Sequence, residues 1–502
     1  MSFFKRVIDW ASRLFATSAE PLVQEADIVR LADRHSFSQY LPYETYDPDS
    51  REYGLHDGQV GYIWECVPVA FMTDEILERL ASLFRREWPE KTSIQFMLVP
   101  DDAIDGFLRG YLSMKIRQHP LVQRAAAAYA QHLGDGRKGL AQMEGLPVRN
   151  YRLIVSVKTS ESLGLDRIAQ IEENLRAASL GPQTMLPGRF LELMRRLLNS
   201  HSPANAGTYD ENRLLNRQII QAETCIRVKD DYVQIGDRFA ACLTPKSMPS
   251  NGQLDRLAVN ALIGGFGGPE DDATQLTQKF LWSTTVFFQT TPSEIRQKAS
   301  TMGMQRVGGT IAKDIARRNA EMAVDLEEME RDRFVNVITS VWIFGEDLTA
   351  LNRGLARSRG LWEQQKFVMQ RESRIGTPML LLSLPLGLHE SKGNKATLQR
   401  DFVMSATAAT HLLPVQADFR GNMSPAQLYT GRKGQIITVD VFDRHANNSN
   451  FFVCAGSGAG KSFTMNKIVG DYFGNMALIR LVDIGYSYQK QCALLGGRYI
   501  DI

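Results

Sequence analysis

The chain has 502 residues, 44% of them hydrophobic and 23% charged, with a formal net charge of +2. That length allows about three domains, and the composition reads as soluble and globular rather than fibrous or disordered. The near-neutral balance gives no general reason to expect nucleic-acid binding, and pairs such as Arg195–Arg196 and Arg317–Arg318 read most simply as solvated helix faces.

Five scattered cysteines (Cys66, Cys225, Cys242, Cys454, Cys492) form no C-x-x-C, and the eight histidines form no H-E-x-x-H. This argues against structural zinc and against a disulfide framework, and it fits a reducing cytoplasm. No apolar run approaches the ~20 residues of a bilayer span; "MLLLSLPLGL" from Met379 is short and broken by Pro385.

In chain order, "MSFFKRVIDWASRLF" sets Phe3, Phe4, Val7, Ile8, Ala11, Leu14 and Phe15 at helical spacing among basic residues. Residues 1–24 are therefore expected as an amphipathic helix. Its first 16 residues suit an anionic membrane surface, a partner, or its own domain equally well. From Tyr62 the pattern alternates strand and helix. "YIWECVPVAF" and "SIQFMLVP" read as strands flanking a helix over residues 75–84; a long helical region follows through Ala130, and "YRLIVSVKTS" is another strand. Helices are expected over 166–178 and 188–199, and "NSHSPANAGTYDEN" and "PKSMPSNG" read as linkers.

Past Val286–Thr290, Thr291, Pro292 and Glu294 supply a cap, a first-turn proline and a capping-box carboxylate for a long polar helix, bent near Gly308–Gly309. "NVITSVWIFGE" is a strand, and helices are expected over 348–360 and 398–412. "IGGFGGPE" from Ile263 lacks a following Lys-Ser/Thr and reads as a flexible loop. The resulting division is an α/β region over 25–245, a mixed strand and long-helix region over 246–425, and a nucleotide-binding segment over 426–502.

The chemistry concentrates in that last segment. Ala455, Gly456, Ser457, Gly458, Ala459, Gly460, Lys461 and Ser462 have the spacing of a P-loop, with alanine in place of the usual first glycine. Glycines let backbone N–H groups approach phosphate oxygens. Lys461 would reach the β- and γ-phosphates of ATP as a point charge, Ser462 would hold Mg2+, and Phe463 opens a helix whose positive end faces the phosphates. Strands are expected on both sides, at Phe451–Cys454 and in "MALIRLVDIG" from Met476. Asp483, at the end of the second strand, has either an indirect role with water or metal or the role of an ordinary turn residue in "DIGYS". A P-loop domain needs ~100 residues or more, so the chain reads as a fragment of a longer protein.

"GQIITVDVFDRHANNSNFFVCAGSGAGKSF" followed by "LVDIGYSYQKQCALLGGRYIDI" resembles the TraC and VirB-type ATPases of type IV secretion and conjugation. In these proteins a strand, an Asn-rich turn, a P-loop and a D-x-G-x-S turn, here Asp483, Gly485 and Ser487, occur in this order. The resemblance is strongest from Gly434 onward. It implies a mixed N-terminal region leading into a RecA-like ATPase domain that is cytoplasmic, peripheral to the bacterial inner membrane and hexameric. It further implies docking on inner-membrane channel components, with ATP and Mg2+ powering pilus assembly and substrate transfer. By that resemblance Lys461 and Ser462 carry the catalytic phosphate and metal contacts, while the Walker B acids and the inter-subunit arginine belong to sequence beyond Ile502. The fragment alone is expected to bind ATP weakly or not at all. Two other readings are a DNA-translocating motor of the same superfamily and a docking scaffold in which nucleotide only orders assembly.

Overall fold

The computed structural model describes residues 37–200, 207–249, 263–264, 275–288, 332–387, 398–445, 447–456 and 458–501. The expected N-terminal amphipathic helix and the long polar helix after Thr291 lie outside these residues, as do part of the first linker and most of the glycine run after Ile263.

The elements follow the apolar patterning. Strands β1 (Tyr43–Asp47), β2 (Glu52–Leu55) and β3 (Val60–Cys66) lead into helix α1 (Asp74–Arg85). The Thr73 hydroxyl caps α1 by accepting the Ile76 N–H at 3.3 Å, and the helix buries Ile76, Leu77, Leu80, Leu83 and Phe84. Strand β4 (Ser93–Asp101) is followed by two helices, α2 (Asp105–Ser113) and α3 (Pro120–Asp135), in place of the one long helical region expected. Pro120 opens α3 because its fixed φ and missing N–H suit a first turn. Next come β5 (Asn150–Thr159), α4 (Gly164–Ala177), β6 (Gln183–Thr184) and α5 (Pro187–Leu198).

Three further strands are β7 (Ile226–Val228), β8 (Val233–Ile235) and β9 (Arg238–Ser247). Pro245, read as the start of a linker, lies inside β9, where the ladder to a later strand is irregular. A bulge tolerates the missing N–H that a regular central strand would not. The chain continues through β10 (Phe280–Phe287), β11 (Phe334–Gly345), α6 (Leu348–Gln364), β12 (Val368–Arg371) and α7 (Gly376–Ser383).

The helix expected over 398–412 is corrected. Residues Phe402–Ser405 form β13 against Phe334–Val337 of β11, and beyond Leu398 only Ala406–Thr410 of this stretch are helical (α8), capped by the Ser405 hydroxyl. The free edge of β11 supplies ladder partners that outweigh local helix preference. Hairpin β14 (Gln427–Thr430) and β15 (Ile436–Val439), then α9 (Lys461–Gly474) and α10 (Gln489–Leu494), complete the described elements.

These elements make a mixed α/β protein of two compact units. The larger takes the described parts of Met1–Val99, Arg152–Gly267 and Gln278–Gln416. Its thirteen-stranded sheet has the order β1-β2-β3-β5-β4-β10-β11-β9-β8-β7, with β6, β12 and β13 on side pairings. The pairings along β10 with β4 and β11, and β11 with β9, are antiparallel. Central strands carry polar residues that find partners. Thr284 and Thr339 hydroxyls lie 2.9 Å apart, the Trp282 indole donates to Thr339 at 3.0 Å, and the Trp342 indole donates to Ser383 at 2.9 Å. Buried polar atoms left unpaired would cost stability here.

The smaller unit comprises Pro100–Tyr151, Gly268–Thr277 and Ala417–Ile502 in their described parts. Ile104, Tyr111, Ala126, Leu133, Leu140, Val148, Leu428 and Ile436 form its core. The Ile436 N–H donates to Arg149 O at 2.9 Å, and the Arg149 N–H donates to Gly434 O at 2.8 Å. Gly434 is left-handed (φ 79°), and a Cβ there would collide with Pro147 O, so the close approach needs glycine.

Candidate nucleotide site

Helix α9 begins at Lys461, on the heels of Gly460, whose φ of 87° provides the reversal that aims the chain into the helix. Gly458 is also left-handed, at 79°. Ala459 N–H donates to Gly456 O at 3.3 Å, and Thr464 N–H to Gly460 O at 2.9 Å, so a tight turn closes just before the first helical turn. Ser457 lies outside the described residues.

A Cβ added at Gly456, Gly458 or Gly460 would meet nothing within 4 Å. At 458 and 460 the backbone conformation calls for glycine. At Gly456 neither conformation nor protein packing does, which fits a loop whose backbone is approached closely by a ligand. Ala455, Gly456, Gly458, Ala459, Gly460, Lys461, Ser462 and Phe463 are all exposed. Among the described residues, neither the Lys461 ammonium nor the Ser462 hydroxyl has a protein partner; Ser462 contributes only its carbonyl, accepting from the Asn466 amide at 2.8 Å. The start of a fourteen-residue helix, a cation and a hydroxyl are thus all exposed within one short stretch of chain. The residues present fit a polyphosphate with its divalent cation. Among the described residues no cluster of His, Cys, Asp and Glu has a metal-binding arrangement of its own.

The two flanking strands do not form. Phe451–Cys454 and the stretch from Met476 to Gly485 have extended or irregular backbone without ladder partners, and Phe452, Leu478, Val482 and Ile484 stand exposed. An apolar run becomes a strand only where a neighbour supplies hydrogen-bond partners. Asp483 is placed as a turn residue. Its carboxylate accepts the Ser487 N–H at 2.6 Å across Gly485 (φ 129°). This turn is tied to α9 through Asn466, whose amide donates to Ser487 O at 3.4 Å and whose carbonyl accepts from Gln491 at 2.7 Å.

The other end of α9 holds residues that sequence reasoning missed. Asp471, buried, accepts the Tyr111 hydroxyl at 2.6 Å and the Lys467 ammonium at 2.7 Å, and lies 3.5 Å from the Lys115 ammonium. Lys115 also donates to Ala426 O at 2.8 Å and to the Asn475 side chain at 2.9 Å, which lets a buried ammonium keep its hydrogen bonds. Burial pulls its pKa down to about 8, partly offset by Asp471. Burial and the Asp471 charge both push the Tyr111 phenol up. Lys467 stands over the rings of Tyr129 and Tyr429, at 4.7 and 4.5 Å. Arg117 closes the helix end: its guanidinium donates to Phe473 O at 2.7 Å and its N–H to Gly474 O at 3.0 Å, a cation where the helix dipole is negative. The signal available in sequence was one acidic residue on an otherwise apolar helix segment, with lysine four positions earlier.

Residues 37–388 match the family model described as TraC protein, and residues 427–502 match the TraG P-loop domain. The chain is 22% identical over 512 residues to Protein TraC of Escherichia coli (strain K12), covering 93% of this chain and 56% of that relative. It therefore spans little more than half of the relative's length. Among the described residues no helix is long and apolar enough to cross a membrane.

Proposed function

The chain belongs to the TraC family, and on that premise we propose that it is part of the ATPase that drives pilus assembly and substrate transfer in a conjugative type IV secretion system. The observation that carries this reading is the exposed, glycine-cradled Lys461 at the start of α9. In this reading the amides of residues 455–460 grip the phosphate chain, Lys461 neutralises the terminal phosphates, and Ser462 holds Mg2+. Bound ATP supplies the phosphoanhydride bond whose hydrolysis releases energy. The full-length protein is proposed to work as a cytoplasmic hexamer at the inner membrane, with a RecA-like core; the family membership supports this, and the P-loop is its local counterpart.

The test uses the full-length protein. Lys461→Ala should weaken ATP binding roughly 10- to 100-fold, the scale of a lost charge-assisted contact, and should abolish hydrolysis and conjugative pilus formation while the protein still assembles. Unchanged ATP affinity would remove the nucleotide reading. Lost ATP binding with full pilus formation would instead favour a scaffold in which nucleotide has no motor role.

A further inference from the structure

The P-loop helix is free at its phosphate end and held at the other. Its two adjacent residues, Asp471 and Tyr472, project about 100° apart around the helix and engage different partners. Asp471 meets Tyr111 of α2, Lys115 just beyond it, and Lys467. Tyr472 donates its hydroxyl to Asp440 at 2.9 Å and accepts the Val441 N–H at 2.7 Å, at the exit of β15 on the path into the loop. Gly474 permits the contact to be close, since a Cβ there would come within 2.8 Å of Val122 on α3. One contact would leave a hinge; these two, with Arg117 on the Phe473 and Gly474 carbonyls, pull in different directions and together fix the helix's tilt. Asp471 lies about 15 Å along the helix from Lys461 at 1.5 Å per residue. A pivot of about ten degrees there would shift the loop by roughly 2–3 Å, enough to misplace groups that must sit within hydrogen-bond reach of a phosphate.

We propose that Asp471 is a positioning residue for the nucleotide site. Gripped from outside the helix by Tyr111 and Lys115, with Lys467 one turn back on the same helix completing its ion pairing, it sets the attitude of the P-loop helix and so the place where Lys461 and the loop amides meet phosphate. The segment carrying Tyr111 and Lys115 thereby acts as a bracket for nucleotide binding. This rests on reading residues 455–462 as a nucleotide site.

The experiment measures the affinity of the full-length protein for a fluorescent ATP analogue, together with thermal melting. Tyr111→Phe removes one oxygen, and Asp471→Asn keeps the shape while removing the charge. Each should weaken binding roughly fivefold, within the range by which remote coupled residues act, and the double variant should fall short of the product of the two effects because both work through one contact. Tyr53→Phe is the control. It deletes an equally buried hydroxyl, bonded to Met185 O at 2.6 Å in the larger unit, and should lower the melting temperature without changing affinity. Should Asp471→Asn fail to fold, Tyr111→Phe alone decides. Wild-type affinity in Tyr111→Phe, or equal weakening in Tyr53→Phe, overturns the proposal while leaving the nucleotide site standing. Absence of binding by the wild type, with Lys461→Ala no different, instead removes the nucleotide reading on which the proposal rests.

Discussion

The two units treat the same kind of sequence differently. In the larger one, apolar runs such as those of β4, β5 and β11 are buried along their whole length and paired on both sides. In the smaller one, runs of similar composition on either side of the P-loop stay exposed and unpaired among the described residues, while the loop and its helix take up the geometry their sequence calls for. A strand is a property of two segments; a phosphate loop is written into one. The larger unit is therefore a cooperative core, and the P-loop with its helix is a local structure held by a few specific contacts.

The greatest loss should come from breaking the core. Trp282 is fully buried, stacks edge-on with Trp362 at 5.5 Å, and donates to Thr339. Trp282→Ala should cost about 3–5 kcal/mol, with a further penalty for leaving the Thr339–Thr284 hydroxyl pair beside a void. Denaturant unfolding would read it, and a change under 1 kcal/mol would mean that the sheet is not the cooperative unit described. Next in size is Asp471→Ala in the smaller unit, expected to cost about 3 kcal/mol because it leaves the buried Lys115 ammonium without its counter-charge. The carbonyl of Ala426 and the side chain of Asn475 remain as partners and keep the loss at the lower end of that range. If that variant melts like the wild type, the cluster does not hold the helix.

How much of this was legible follows the same division. Strands β3, β4, β5 and β11 stand out because long β-branched and aromatic runs suit burial on both faces. Strand β13 does not, because the alanines after Ser405 favour helix locally and only the edge of β11, some seventy residues upstream in sequence, makes residues 402–405 extended. Within the site, Gly458, Gly460, Lys461 and Ser462 announce themselves by spacing. Asp471 does not, since Tyr111 lies 360 residues away and sits on a helix whose pattern shows only an apolar face. The missing strands around the loop mark the opposite error: composition described what those segments are able to pair with, and no partner is placed beside them among the described residues.

The cluster also has a pH signature, smaller than either truncation. With its folded pKa near 8 and an ordinary lysine value near 10.5, Lys115 carries the full cost of burial below pH 8. Between those values the unfolded chain holds the proton and the folded one does not, so stability attributable to Lys115 should rise with pH, by at most about 1.4 kcal/mol per unit. The charges facing it are Asp471 and Lys467, with the phenols of Tyr111, Tyr129 and Tyr429 nearby. Raised tyrosine values act in the opposite direction above pH 10, and buried Lys158 acts in the same direction. The difference between wild type and Lys115→Met isolates the effect. Wild-type stability minus that of the variant should rise between pH 8 and 10, and a flat difference would mean that Lys115 is already neutral or is solvated in solution.

The smallest effect is the sharpest test of the contrast between the units. Val482 and Ile484 are fully exposed, whereas Val155 and Val157, in a similar run on β5, are fully buried. In this 502-residue chain Val482→Ala should change stability by less than about 0.5 kcal/mol, as for a surface position, while Val155→Ala should cost about 2 kcal/mol through lost burial and a residual cavity. Paired denaturation curves on the two variants read the difference directly. Equal losses would mean that the segment after α9 is packed as tightly as the sheet, and that the loop is braced by strands on both sides. The contacts of Asp471, Tyr472 and Arg117 would then share the holding of the helix with those strands and would no longer set its attitude by themselves.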